Sequence, residues 1–138
     1  MAKSEKQKLK LLYIIQCLME KTDEEHAVTT QEIIDYLALQ GITAERKSIY
    51  TDIDLLIDFG MDLIKKPGRS GGYTLASRQF ELAELKLLVD AVQSSKFITT
   101  KKSRELIGKL ETLCSKYEAT QLHRQVVVTN RNKAVNEN

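Results

Sequence analysis

Apolar residues along the chain fall into short runs whose spacing changes register several times. Leu9, Leu12, Ile15, Cys17, Leu18 and Met19 recur mostly at helical spacing. They follow Ser4-Glu5-Lys6-Gln7, a serine with glutamine three residues on, so a capped helix is expected over 5–21. The acidic stretch 22–28 reads as a loop. Thr29-Thr30-Gln31-Glu32 repeats the capping pattern, and Ile33, Ile34, Leu37 and Leu39 follow it. Gly41 then stands where a left-handed helix end is least strained, which predicts a second helix over 30–40. Thr43 can cap a third helix over 44–59, ended by Gly60. Its apolar positions Ile49, Ile53, Leu56 and Ile57 form one stripe at about 100° per residue.

The period then shortens to that of strands. Residues 61–66 read as one strand and 73–75 as its partner, with the turn-rich Pro67-Gly68-Arg69-Ser70-Gly71-Gly72 between them. Two helices across a tight glycine-containing turn, followed by a hairpin, give the element order of a winged helix-turn-helix. Helical spacing returns at Leu82, Leu85, Leu88, Val89 and Val92, predicting a helix over 81–94. A connector over 95–98 leads to a further helix from Thr99 or Thr100 to about 116. Gln125-Val126-Val127-Val128-Thr129 is a strand candidate without a visible partner, and 130–138 is polar and expected to fray. The expected fold is therefore mainly α with a small β-hairpin. A winged helix-turn-helix spans 1–78, a two-helix linker or dimerisation segment spans 79–117, and 118–138 is a truncated β segment or flexible tail.

Composition narrows the function. The 138 residues carry 21 Lys plus Arg against 19 Asp plus Glu, with 42% hydrophobic and 29% charged residues. These values suit a soluble globular chain, either one compact domain or a small domain with an appendage, and exclude chain-wide disorder or low-complexity architecture. Cys17 and Cys114 form no CxxC pair, and His26 and His123 lie far apart, so neither a disulfide framework nor a metal site is expected. Free cysteines fit a reducing, cytoplasmic setting. The apolar run 11–19 is too short to span a bilayer and leads into an acidic stretch rather than small cleavage-site residues. No membrane partner is expected. Residues 1–78 carry a net charge of −1 and 79–138 a net +3, so a nucleic-acid site must come from local clustering.

Such a cluster lies on the third predicted helix. Arg46, Lys47, Tyr50 and Thr51 occupy an arc of about 140°, roughly opposite the apolar stripe. The DNA major groove admits one helix, whose N-terminal residues meet base edges. Arginine can donate two parallel hydrogen bonds to guanine, whereas lysine offers phosphate a point charge. Tyr50 presents a flat apolar body and a hydroxyl. Thr51 can meet a base or the backbone, and Thr43 and Ser48 join the candidate contacts at the helix start. Asp54 shares this face and must sit away from phosphate or pair with Lys47 or Tyr50; Asp52 points elsewhere and reads as structural. On the hairpin, Lys65, Lys66 and Arg69 place three cations within five residues, suited to backbone or a narrow minor groove. Lys3, Lys6, Lys8 and Lys10 add either backbone charge or an ordinary solvated helix start. No Ser/His/Asp or Cys/His constellation is visible, so no catalysis and no cofactor are expected.

Ala44-Glu45-Arg46-Lys47-Ser48-Ile49-Tyr50-Thr51-Asp52-Ile53 with Gly71-Gly72-Tyr73 resembles the WYL-domain bacterial transcriptional regulators, which carry a DeoR-like winged helix. The similarity continues through 91–99 and into Arg124-Gln125-Val126. The resemblance implies a homodimer that binds a double-stranded DNA operator, with a C-terminal β-rich domain sensing an effector. The sequence is expected to reach only the first strand of that domain and contains no Trp-Tyr-Leu motif, so no effector site is carried over. Family members often hold a charged residue where Thr51 stands. The alternative is a winged helix used for protein contact without direct DNA binding, which the net −1 of residues 1–78 favours.

Overall fold

The structure, a computed structural model describing residues 3–68 and 71–136, is mainly helical with one two-stranded antiparallel sheet. Two units divide it, with the boundary between Ser77 and Arg78.

The first unit opens with α1 (Lys3–Lys8) and α2 (Lys10–Lys21). Where one helix over 5–21 was expected, the ladder breaks at Leu9, although that residue keeps helical dihedrals. Ser4 falls inside α1 rather than before it. α3 (Thr30–Leu39) begins with the expected capping box: Glu32 N–H donates to Thr29 Oγ1 and Thr29 N–H to Glu32 Oε1, each at 3.1 Å. After a short turn through Gly41, α4 (Arg46–Phe59) follows. Its N-cap is Glu45, in extended conformation, not Thr43; Thr43 stays in the turn, where its carbonyl accepts from Gln7 Nε2 at 3.4 Å.

The hairpin pairs β1 (Leu63–Lys66) with β2 (Gly72–Leu75), Lys65 opposite Tyr73 and Lys66 opposite Gly72. A single bridge extends the sheet: Tyr73 N–H donates to Val28 O at 2.8 Å and Val28 N–H to Tyr73 O at 3.0 Å. Gly72 makes this approach possible. Its φ is 136°, and a Cβ there would lie 2.1 Å from Val28 O, so no side chain fits. Ile14, Cys17, Leu18, Ile33, Leu37, Ile42, Ile49, Ile53 and Leu56 fill the core between the helices. Ile57, expected in the same stripe, is instead exposed, because Leu56 takes the inward position in that turn.

In the second unit, α5 (Leu82–Ser94), α6 (Thr100–Glu111) and α7 (Lys116–Asn136) pack around Leu85, Val89, Ile107, Cys114, Leu122 and Val126. Three expectations are corrected here. The helix from Thr100 ends at Glu111 rather than near 116, 125–129 is not a strand but part of α7, and 130–136, expected to fray, continues that helix. The reason is packing: Leu122 and Val126, four apart, bury one helical face in this core, and Gln93 Nε2 donates to Val126 O at 3.3 Å. Nothing of a β segment appears at 118–136. No helix among the described residues is long and apolar enough to cross a membrane.

Candidate functional site

The start of α4 is set by a plain turn rather than a side-chain cap, which leaves its first residues facing outward. Ser48 spends its hydroxyl on Glu45 O at 2.8 Å, and Thr51 Oγ1 donates to Lys47 O at 3.1 Å. Both hydroxyls still have acceptor lone pairs. Arg46, Lys47, Tyr50 and Thr51 are exposed, and Ile49 and Ile53 on the other face are fully buried. Arg46 lies beside α3, its Nη2 3.5 Å from Gln31 Oε1, a long and weak contact that leaves the guanidinium available.

An open cleft of about 500 Å³ lies between the start of α3, the first two turns of α4 and the hairpin. Arg46, Tyr50, Lys65 and Lys66 line it, together with Thr29, Thr30, Gln31, Tyr73 and the backbone of Gly68, Gly71 and Gly72. The floor is fixed by a buried contact, Thr30 Oγ1 to Tyr73 Oη at 3.2 Å. Four of the expected site residues thus converge on one concave surface. Lys47, Ser48, Thr51 and Thr43 do not line it. Arg69, the remaining candidate, lies outside the described residues.

The amines are not equivalent. Lys65 Nζ donates to Asp54 Oδ1 at 2.8 Å, a bridge from the hairpin to α4 with both side chains more than half exposed. That hydrogen bond, reinforced by the carboxylate's charge, raises the Lys65 pKa above its ordinary value. The partner foreseen for Asp54 was Lys47 or Tyr50; it is Lys65. Lys66 is exposed and, among the described residues, has no carboxylate within ion-pair distance. Lys10, by contrast, does not offer charge to a ligand. It is buried, its Nζ 2.8 Å from Asp52 Oδ2. Lys6 reaches over the turn at Gly41.

Thr29, Thr30, Gln31 and Tyr73 were missed as cleft residues. The capping box marks the start of α3, but only the bridge from Val28 to Tyr73 brings that start beside the hairpin. Among the described residues, no group of three or more His, Cys, Asp or Glu could hold a metal ion. Chemically, the cleft offers cations, hydroxyls and backbone to an extended anion. Comparison of the chain with protein-family models, with curated proteins and with solved structures returned no match.

Proposed function

We propose that the chain is a sequence-specific double-stranded DNA-binding transcriptional regulator of winged helix-turn-helix type. In this reading α4 enters the major groove and the hairpin rests as a wing on the backbone or minor groove. One observation carries it: Arg46 and Tyr50 of α4 and Lys65 and Lys66 of the hairpin line a single cleft, on the side of α4 opposite its buried stripe. A helix and a flanking cationic ribbon on one surface suit a groove between two phosphate rails. The resemblance of 44–53 and 71–73 to WYL-domain regulators points the same way. A homodimer would set two copies of α4 in successive major grooves, about 34 Å apart, and read a symmetric operator.

Selection of bound duplexes from a random pool, followed by salt titration, tests the proposal. A symmetric motif and a steep fall of affinity with salt are expected, because each neutralised phosphate releases counterions. Arg46→Ala should cost on the order of 1–3 kcal/mol and relax preference at one base pair, whereas Lys66→Ala should weaken all sequences evenly. An unselected pool would remove the reading and favour the protein-contact alternative, as would binding that responds weakly to salt.

A further inference from the structure

Asp54 stands out because it is acidic on a face otherwise suited to an anion. It lies three, four and seven residues beyond Thr51, Tyr50 and Lys47, hence on the same side of α4. Its only ion-pair partner among the described residues is Lys65, on the hairpin, at 2.8 Å. The pair is of a kind that adds little to the fold. Both side chains are more than half exposed, and exposed pairs contribute little to stability. Asp52, two residues away, differs in kind: it is mostly buried against Lys10. An exposed carboxylate beside DNA repels phosphate, and a lysine already paired to it neutralises no phosphate. Lys65 and Lys66 are neighbours on β1, yet only the first is engaged in this way.

We propose that Asp54 is an electrostatic restraint on DNA binding: by holding Lys65 in an ion pair it withholds one hairpin cation from the phosphate backbone. The restraint rests on the DNA-binding reading. It makes the pair electrically silent at the interface, leaving Lys66 as the hairpin's working cation among the described residues. Duplex affinity is thereby set below what the cation content of the hairpin would give.

Salt titration of the full chain on a mixed-sequence DNA duplex tests this with Asp54→Asn, with Asp54→Asn/Lys65→Gln and with Lys66→Ala. Asp54→Asn should bind more tightly, with a log-affinity against log-salt slope steeper by about 0.9, the value of one added phosphate contact. Over a fourfold rise in salt, that is a loss of affinity about 3.5-fold larger. The double variant, with the pair replaced by two neutral groups, should return to the slope of the unaltered chain. Lys66→Ala should make the slope shallower by about 0.9. The restraint is overturned if Asp54→Asn leaves affinity and slope unchanged. A double variant shallower than the unaltered chain overturns it too, since Lys65 would then already contact phosphate. If the unaltered chain itself shows no salt-dependent binding, the DNA reading falls and takes the restraint with it, an outcome distinct from the other two.

Discussion

Two buried residues show how single side chains hold the surface that carries the cleft. Thr22 is fully buried at the end of α2. Its hydroxyl donates to Leu18 O at 2.6 Å and accepts from the Leu75 N–H at 3.0 Å, so one oxygen ties α2 to β2. Thr22→Val keeps the shape but leaves that N–H without its acceptor. It should cost about 1–3 kcal/mol in urea unfolding, with Thr22→Ser losing less. Cys17 sits on the same helix, and burial pushes its thiol up to about 11, with the Lys21 ammonium pulling the other way. The folded thiol therefore stays protonated where the unfolded one, with its ordinary value of 9.0, has begun to ionise. Its contribution to stability is constant below about pH 9 and falls as pH rises from there towards 11. In a Cys114→Ser background, a thiol reagent at mildly alkaline pH should react with Cys17 only as fast as the protein opens; prompt reaction without denaturant would contradict the burial.

At the scale of elements, two aspartates of α4 pair with lysines from different elements, Asp52 with Lys10 and Asp54 with Lys65. The Lys10–Asp52 pair clamps α2 to α4 with side chains only 10% and 14% exposed. Removing one partner strands the other charge, so Asp52→Ala should cost on the order of 3 kcal/mol in thermal or urea unfolding. Lys10→Met with Asp52→Leu should recover most of that loss, since the penalty belongs to the unpaired charge rather than to the missing attraction. Helical geometry alone put Asp52 off the exposed face. Its partner was not legible, because it lies in another helix 42 residues earlier in the chain. The same limit explains the misread C-terminal segment. Three consecutive valines favour a strand locally, and only the packing of Leu122 and Val126 with Leu85 and Val89 decides for a helix. A local signal did exist at its start. Ser115 and Glu118 have the capping spacing, and Glu118 N–H donates to Ser115 Oγ at 3.1 Å.

The whole molecule is two cores on one chain. In the first unit the capping box of α3, the glycine turns and the apolar stripes were legible because they are local and mutually consistent. The break at Leu9 and the start of α4 at Arg46 carry no side-chain cap and were not legible. The cleft was legible only by half: the cations on α4 and β1 could be named, but the start of α3 reaches them through the Val28–Tyr73 bridge, a pairing no local pattern encodes. The buried cluster around Ile14, Leu37 and Ile53 shares no residue with the one around Leu85, Ile107 and Leu122. Each cluster joins elements within its own unit, so damage to one core should be felt first within that unit. Leu122 and Leu37 are both fully buried, which makes them matched probes. Each change to alanine should cost about 2–5 kcal/mol in its own unit. Amide hydrogen exchange should then show Leu122→Ala releasing protection in α5, α6 and α7 while α2, α3 and α4 keep theirs, and Leu37→Ala doing the reverse. Equal loss across both units from either change would mean that the chain unfolds as a single cooperative body despite its separate cores.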